Sequence, residues 1–162
     1  MSMIEVNGVC YRVEAHGSGK PLLLLHGFTG SSENWRPLIP AWAEHWRVIV
    51  VDLLGHGRTD APADANRYAI ERAAADLEAI LISLDAVPAH ILGYSMGGRL
   101  ALYLAITRPH LLLSLILESA SPGLETGTER EQRQSSDRQL AGWIEANGVN
   151  AFVDRWEQLP RA

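Results

Sequence analysis

A serine set among glycines, Gly93-Tyr94-Ser95-Met96-Gly97-Gly98, follows the apolar run Ala89-His90-Ile91-Leu92 and precedes residues at helical spacing. The G-x-S-x-G order suits a strand-to-helix bend so sharp that a Cβ at the glycine positions would strike neighbouring backbone. Such a bend lifts the Ser95 hydroxyl above the sheet, at a helix N-terminus whose N–H groups favour negative charge. The chemistry on offer is attack or proton transfer by a hydroxyl at a carbonyl compound. An oxyanion forming beside Ser95 needs two preorganised donors. The backbone N–H of Met96 suits one of them, and the loop His26-Gly27-Phe28-Thr29-Gly30 offers the N–H of Phe28 as the other. His26 reads as a brace for this loop rather than a proton carrier. His56, in the glycine-rich turn Asp52-Leu53-Leu54-Gly55-His56-Gly57-Arg58, reads as part of a packed turn.

Residues of this kind must be held at the carboxyl ends of parallel strands, where ligands of open α/β sheets bind. Pro21 to Leu25, Val48 to Val51, Ala89 to Leu92 and Leu111 to Leu117 are apolar runs without alternation, the pattern of strands buried on both faces. Ile70, Ala73, Ala74, Leu77, Ile80, Leu81 and Leu84 recur at helical spacing, as do Leu100, Ala101, Leu104 and Ala105 ahead of Pro109. Ile4 to Val13 reads as a hairpin turning at Asn7-Gly8, two residues that tolerate positive φ. The expectation is an α/β fold, a mostly parallel sheet with an N-terminal hairpin. The core is expected over residues 1–121 and a polar helical segment over 122–162.

The chain has 162 residues, 47% hydrophobic, with a formal net charge of -5. That apolar fraction excludes a wholly disordered chain, and the acidic balance argues against a general nucleic-acid binder. No apolar run approaches the roughly 20 residues of a membrane span, and no basic-then-apolar leader opens the chain, so a soluble cytoplasmic protein is expected. Cys10 alone can form neither an internal disulfide nor a zinc site.

Together His26-Gly27-Phe28, Asp52-Leu53-Leu54-Gly55-His56-Gly57 and the serine elbow resemble the α/β-hydrolase superfamily. Arg99, the stretch Leu117-Glu118-Ser119-Ala120-Ser121-Pro122-Gly123-Leu124, then Arg130, Arg133, Ser136-Asp137 and Phe152-Val153-Asp154-Arg155-Trp156-Glu157 resemble one of its families more narrowly. That family is 2-succinyl-6-hydroxy-2,4-cyclohexadiene-1-carboxylate synthase, of menaquinone biosynthesis. The resemblance implies a lyase that eliminates pyruvate from a polycarboxylate small molecule, with no external cofactor. It also implies that Arg99 and Arg133 take substrate carboxylates, that Tyr94 hydrogen-bonds in the pocket, and that Trp156 faces the substrate from a helical lid. On the residues alone, Arg133 is better read as an ion pair with Asp137, a reading that the resemblance reverses, and Trp156 equally suits lid packing.

A serine hydroxyl works through a histidine that an acid orients, in the superfamily order Ser, Asp or Glu, His. After Ser95 the only histidine is His110, placed at the wrong end of its strand; Asp137 and Asp154 fall in the lid segment. The expectation is therefore an N-terminal part of the enzyme, stopping at Leu159-Pro160-Arg161-Ala162 inside the lid and impaired alone. A strand over Leu112 to Leu117 left bare would be an apolar edge, a template for a homodimer through that edge or by lid exchange. Two other readings stay open: a serine esterase or C–C bond hydrolase, and a non-catalytic fragment.

Overall fold

The computed structural model describes residues 2–158 and resolves the chain into two compact units, Met1–Pro122 and Gly123–Ala162. In the first unit, β1 (Ser2–Val6) and β2 (Val9–His16) form an antiparallel hairpin. Asn7 and Gly8 turn it with φ of 51° and 74°, as a tight hairpin turn requires. Then follow β3 (Pro21–Leu25), the short helix α1 (Ile39–Trp42), β4 (Arg47–Val51), α2 (Ile70–Ser83), β5 (Ala89–Tyr94), α3 (Met96–Thr107) and β6 (Leu112–Glu118). The sheet runs β1-β2-β4-β3-β5-β6; β2 pairs antiparallel with β4, while β4, β3, β5 and β6 are mutually parallel.

The apolar runs do not alternate because both faces of the central strands are covered. Leu23, Leu25, Ile49, Val51 and Ile91 face one core with Ala74, Leu77, Ile80 and Leu81 of α2 and Leu100, Ala101 and Leu104 of α3. Leu22, Leu24, Val48 and Val50 face a smaller one with Trp35, bordered by Trp42 and Trp46. Burying each such side chain contributes about 1.5–3 kcal/mol, which fixes the register that lines up the carboxyl ends of β3, β4 and β5.

The fourth apolar run departs from the double-sided burial its sequence suggests. Leu111 is fully buried in a 3-10 turn (Pro109–Leu111), so the strand starts one residue later. As an edge strand with a single neighbour, β6 leaves Leu113, Ile116 and Leu117 39–49% exposed. A residue at the sheet margin has neighbours on one side only, whatever its hydrophobicity.

The second unit is a helix pair, α4 (Gly127–Asn147) and α5 (Val149–Glu157). Thr126 and Glu129 close a capping box at the start of α4, and Gly148, at φ 83°, separates the helices. Arg155 lies over the Trp143 ring at 4.8 Å, and Phe152 packs on Trp156 with centroids 5.4 Å apart. The expected segment end, Leu159 to Ala162, lies outside the described residues. No helix among the described residues is long and apolar enough to cross a membrane.

Candidate active site

Ser95 joins β5 to α3 with φ 51° and ψ -110°, a sparsely populated backbone conformation for a residue bearing a Cβ. Close packing holds it there. A methyl group on Gly93 would lie 2.5 Å from Gly98 Cα, and one on Gly98 would lie 2.5 Å from Ala120 Cβ and 2.7 Å from the Gly93 oxygen. Two backbone hydrogen bonds stitch the bend to its neighbours: Ser95 N–H to Glu118 O at 2.9 Å and Gly97 N–H to His26 O at 3.1 Å. The Ser95 hydroxyl is half-buried and makes no side-chain hydrogen bond among the described residues.

The β3 loop lies against this bend. A methyl group on Gly27 would strike the Tyr94 ring, 2.9 Å from Cδ1, while meeting Ser95 Cβ at an ordinary contact distance of 3.5 Å. Phe28 follows directly, its side chain 46% exposed. Met96 is the first helical residue of α3, where N–H groups have no intrahelical acceptor and the helix dipole is positive. The first unit therefore brings Tyr94, Ser95, Met96, Gly27 and Phe28 together. Arg99 lies one turn into α3, with its N–H on Ser95 O at 3.1 Å. Its side chain is exposed and makes no hydrogen bond or ion pair among the described residues. Arg133 and Trp156 belong to the second unit. Arg133 Nε donates to both Asp137 oxygens, at 2.8 and 2.9 Å, on the exposed side of α4, and Trp156 is 37% exposed beside Phe152.

The histidines divide clearly. His110 lies in the turn before β6, at the opposite end of the sheet from Ser95, and pairs with Glu78 at 3.3 Å. His26 is 1% exposed and both its ring nitrogens are engaged. Leu53 N–H donates to Nε2 at 3.0 Å, so the ring proton sits on Nδ1, which donates to Gly27 O at 2.8 Å. Burial pushes its pKa below 6.5, helped by nearby His56 and opposed by the Gly27 carbonyl and Asp52. A neutral, doubly engaged imidazole is a brace. His56 reaches Leu54 O through Nδ1 at 3.0 Å and Phe28 O through Nε2, and its ring lies 5.1 Å from that of His26.

Behind the loops lies a polar network of residues other than the candidates. Asp52, at the end of β4, accepts from Ser32 N–H at 2.7 Å and Arg58 N–H at 2.9 Å. Arg12 spans Asp52, Glu14, Glu33 and Ser32 from β2. Burial works against ionising Asp52, but the bonds from Ser32 and Arg58 and the charge of Arg12 outweigh it and hold the carboxyl below 3.8. The available signal was a carboxylate closing an otherwise apolar strand, a position that needs a partner if buried. No group of three or more His, Cys, Asp or Glu among the described residues could hold a metal ion.

The alpha/beta hydrolase fold profile matches residues 20–161. A putative 2-succinyl-6-hydroxy-2,4-cyclohexadiene-1-carboxylate synthase of Bacillus subtilis (strain 168) is 43% identical over 156 residues, 95% of this chain and 57% of the relative. The synthase of that name from Escherichia coli O1:K1 is 34% identical over 146 residues, 88% of this chain and 56% of the relative. Among solved structures, MenH from S. aureus superposes with a TM-score of 0.83 at 32% identity, covering 93% of this chain and 57% of that one. The chain thus spans just over half the length of these relatives.

Proposed function

The chain belongs to the alpha/beta hydrolase fold family, and we propose that it carries the serine elbow of a lyase that eliminates pyruvate in menaquinone biosynthesis. The substrate is 2-succinyl-5-enolpyruvyl-6-hydroxy-3-cyclohexene-1-carboxylate and the product 2-succinyl-6-hydroxy-2,4-cyclohexadiene-1-carboxylate, the compound named in the relatives' synthase activity. The observation that supports this most is Arg99, an exposed guanidinium without a partner among the described residues, one turn from a strained serine. A polycarboxylate approaching an acidic protein needs such a local cation, and a neutral ester does not.

The chemistry follows from the substrate. A proton leaves the ring carbon bearing the succinyl ketone, and charge builds on the ketone oxygen. As that charge returns, the ring double bond shifts, the carbon–oxygen bond to the enolpyruvyl group breaks, and enolpyruvate departs to become pyruvate on protonation. The N–H groups of Phe28 and Met96 are assigned to the ketone oxygen, and Ser95 Oγ to the proton transfer. By resemblance, Tyr94, Arg133 and Trp156 are assigned to the substrate as well; for Arg133 this means exchanging Asp137 for a substrate carboxylate. The histidine that Ser95 requires is assigned to the part of the relatives' length that this chain does not span.

The test is pyruvate release by the polypeptide that contains this chain. Arg99→Ala is expected to raise KM about tenfold or more, the loss of one charge-assisted pair. Ester hydrolysis without pyruvate release, indifferent to Arg99, would favour the serine esterase reading and reject the lyase. We also infer that β6, an apolar edge with one strand neighbour, pairs with a second copy of the chain.

A further inference from the structure

Phe28 N–H belongs to the Gly27–Phe28 peptide, whose carbonyl oxygen accepts two hydrogen bonds. His26 Nδ1–H donates to it at 2.8 Å and Gly30 N–H at 3.0 Å. The next carbonyl along, Phe28 O, is met by His56 Nε2. In a trans peptide the N–H points away from the C=O, so pinning the oxygen fixes the direction of the N–H. Donors on a carbonyl also polarise the peptide and strengthen its N–H as a donor, by about 10–30% per bond. The backbone N–H of Leu53 can only donate, which leaves His26 Nε2 no role but acceptor and commits the ring proton to Gly27. Leu53 in turn follows Asp52, whose carboxylate is locked between Ser32 and Arg58. An unbroken chain of bonds therefore runs from the end of β4 to the loop beside Ser95.

From this geometry we propose that His26 is a positioning residue. It sets the orientation and donor strength of Phe28 N–H toward the oxyanion while touching no substrate itself. The inference rests on the assignment of Phe28 as an oxyanion donor. Two amide side chains separate this role from simple packing. In His26→Asn the amide N–H stands near the Nδ1 position and keeps a donor for Gly27, losing the acceptor for Leu53. In His26→Gln the carbonyl oxygen stands near the Nε2 position and keeps Leu53, losing the donor.

The experiment uses the polypeptide that contains this chain, unsubstituted and with each substitution, and reads the Phe28 amide proton by NMR alongside the kinetics of pyruvate release. His26→Gln is expected to move the Phe28 amide upfield by several tenths of a ppm. It is also expected to lower kcat about tenfold with KM within about twofold, a part of the 100- to 1,000-fold loss typical of removing an oxyanion donor. His26→Asn is expected to keep the Phe28 shift and stay within about threefold of the parent kcat. Equal losses in the two variants, or a Phe28 amide unmoved in His26→Gln, would overturn the proposal. If the unsubstituted polypeptide that contains this chain releases no pyruvate, the lyase reading alone is overturned, because the amide shifts still decide the brace.

Discussion

Asp52 is 1% exposed, and its two carboxylate oxygens face Ser32 N–H, Arg58 N–H and, at 3.5 Å, Arg12 Nη1. Asp52→Asn preserves the shape and one acceptor oxygen but turns an NH2 toward either Arg58 N–H or Ser32 N–H. One backbone donor then loses a charged acceptor inside the protein, worth about 1–3 kcal/mol. Stranding a buried charge can cost about 3–5 kcal/mol, but Arg12 keeps Glu14 at 2.5 Å and Glu33 at 3.1 Å, so most of that penalty is avoided. The expected loss is about 2–3 kcal/mol at neutral pH, measured as a lower urea midpoint at unchanged slope. Its pH dependence carries a sign. The folded-state pKa of Asp52 lies below 3.8, so the carboxylate stabilises the fold above that value and stops doing so as pH falls through the folded pKa. The gap between parent and variant should therefore be constant near neutrality and close below pH 3.8. A gap under about 0.5 kcal/mol at pH 7, or one that widens in acid, would refute the role given to this carboxylate.

Ser95→Gly removes the Cβ from a φ of 51°; it is expected to raise stability by up to about 1 kcal/mol and to abolish pyruvate release, seen as a higher Tm in an inactive protein. Tyr11→Phe deletes the 2.6 Å bond from Tyr11 to Asp76 but leaves Asp76 with Arg67 and Asn7, so a loss of about 1–2 kcal/mol is expected by urea denaturation. Burial, reinforced by Asp76, raises the Tyr11 pKa above 10, so this stabilisation persists below pH 10 and declines in stronger alkali, a decline the Phe variant should lack. Ile116→Lys on the exposed face of β6 is expected to shift light scattering from dimer to monomer; a parent protein monomeric at high concentration would count against edge pairing.

Much of this architecture is written locally. Asn7-Gly8 states its own turn, because positive φ is a property of those two residues. Gly93, Gly97 and Gly98 around Ser95 announce a bend that admits no side chain, and four apolar runs announce buried strands between helices. Position in the sheet is not local. Leu23 and Leu113 look alike in sequence, yet one is sealed between two layers and the other lies 46% exposed on an edge strand, because β6 has one neighbour and β3 has two. Likewise the sequence states that residue 26 is a histidine but not which tautomer it adopts. Leu53 N–H, 27 residues away, dictates it, and only the parallel pairing of β3 with β4 brings that donor into reach. Backbone conformation follows from each residue's own sterics, whereas burial, charge state and proton position depend on which distant groups the sheet places alongside.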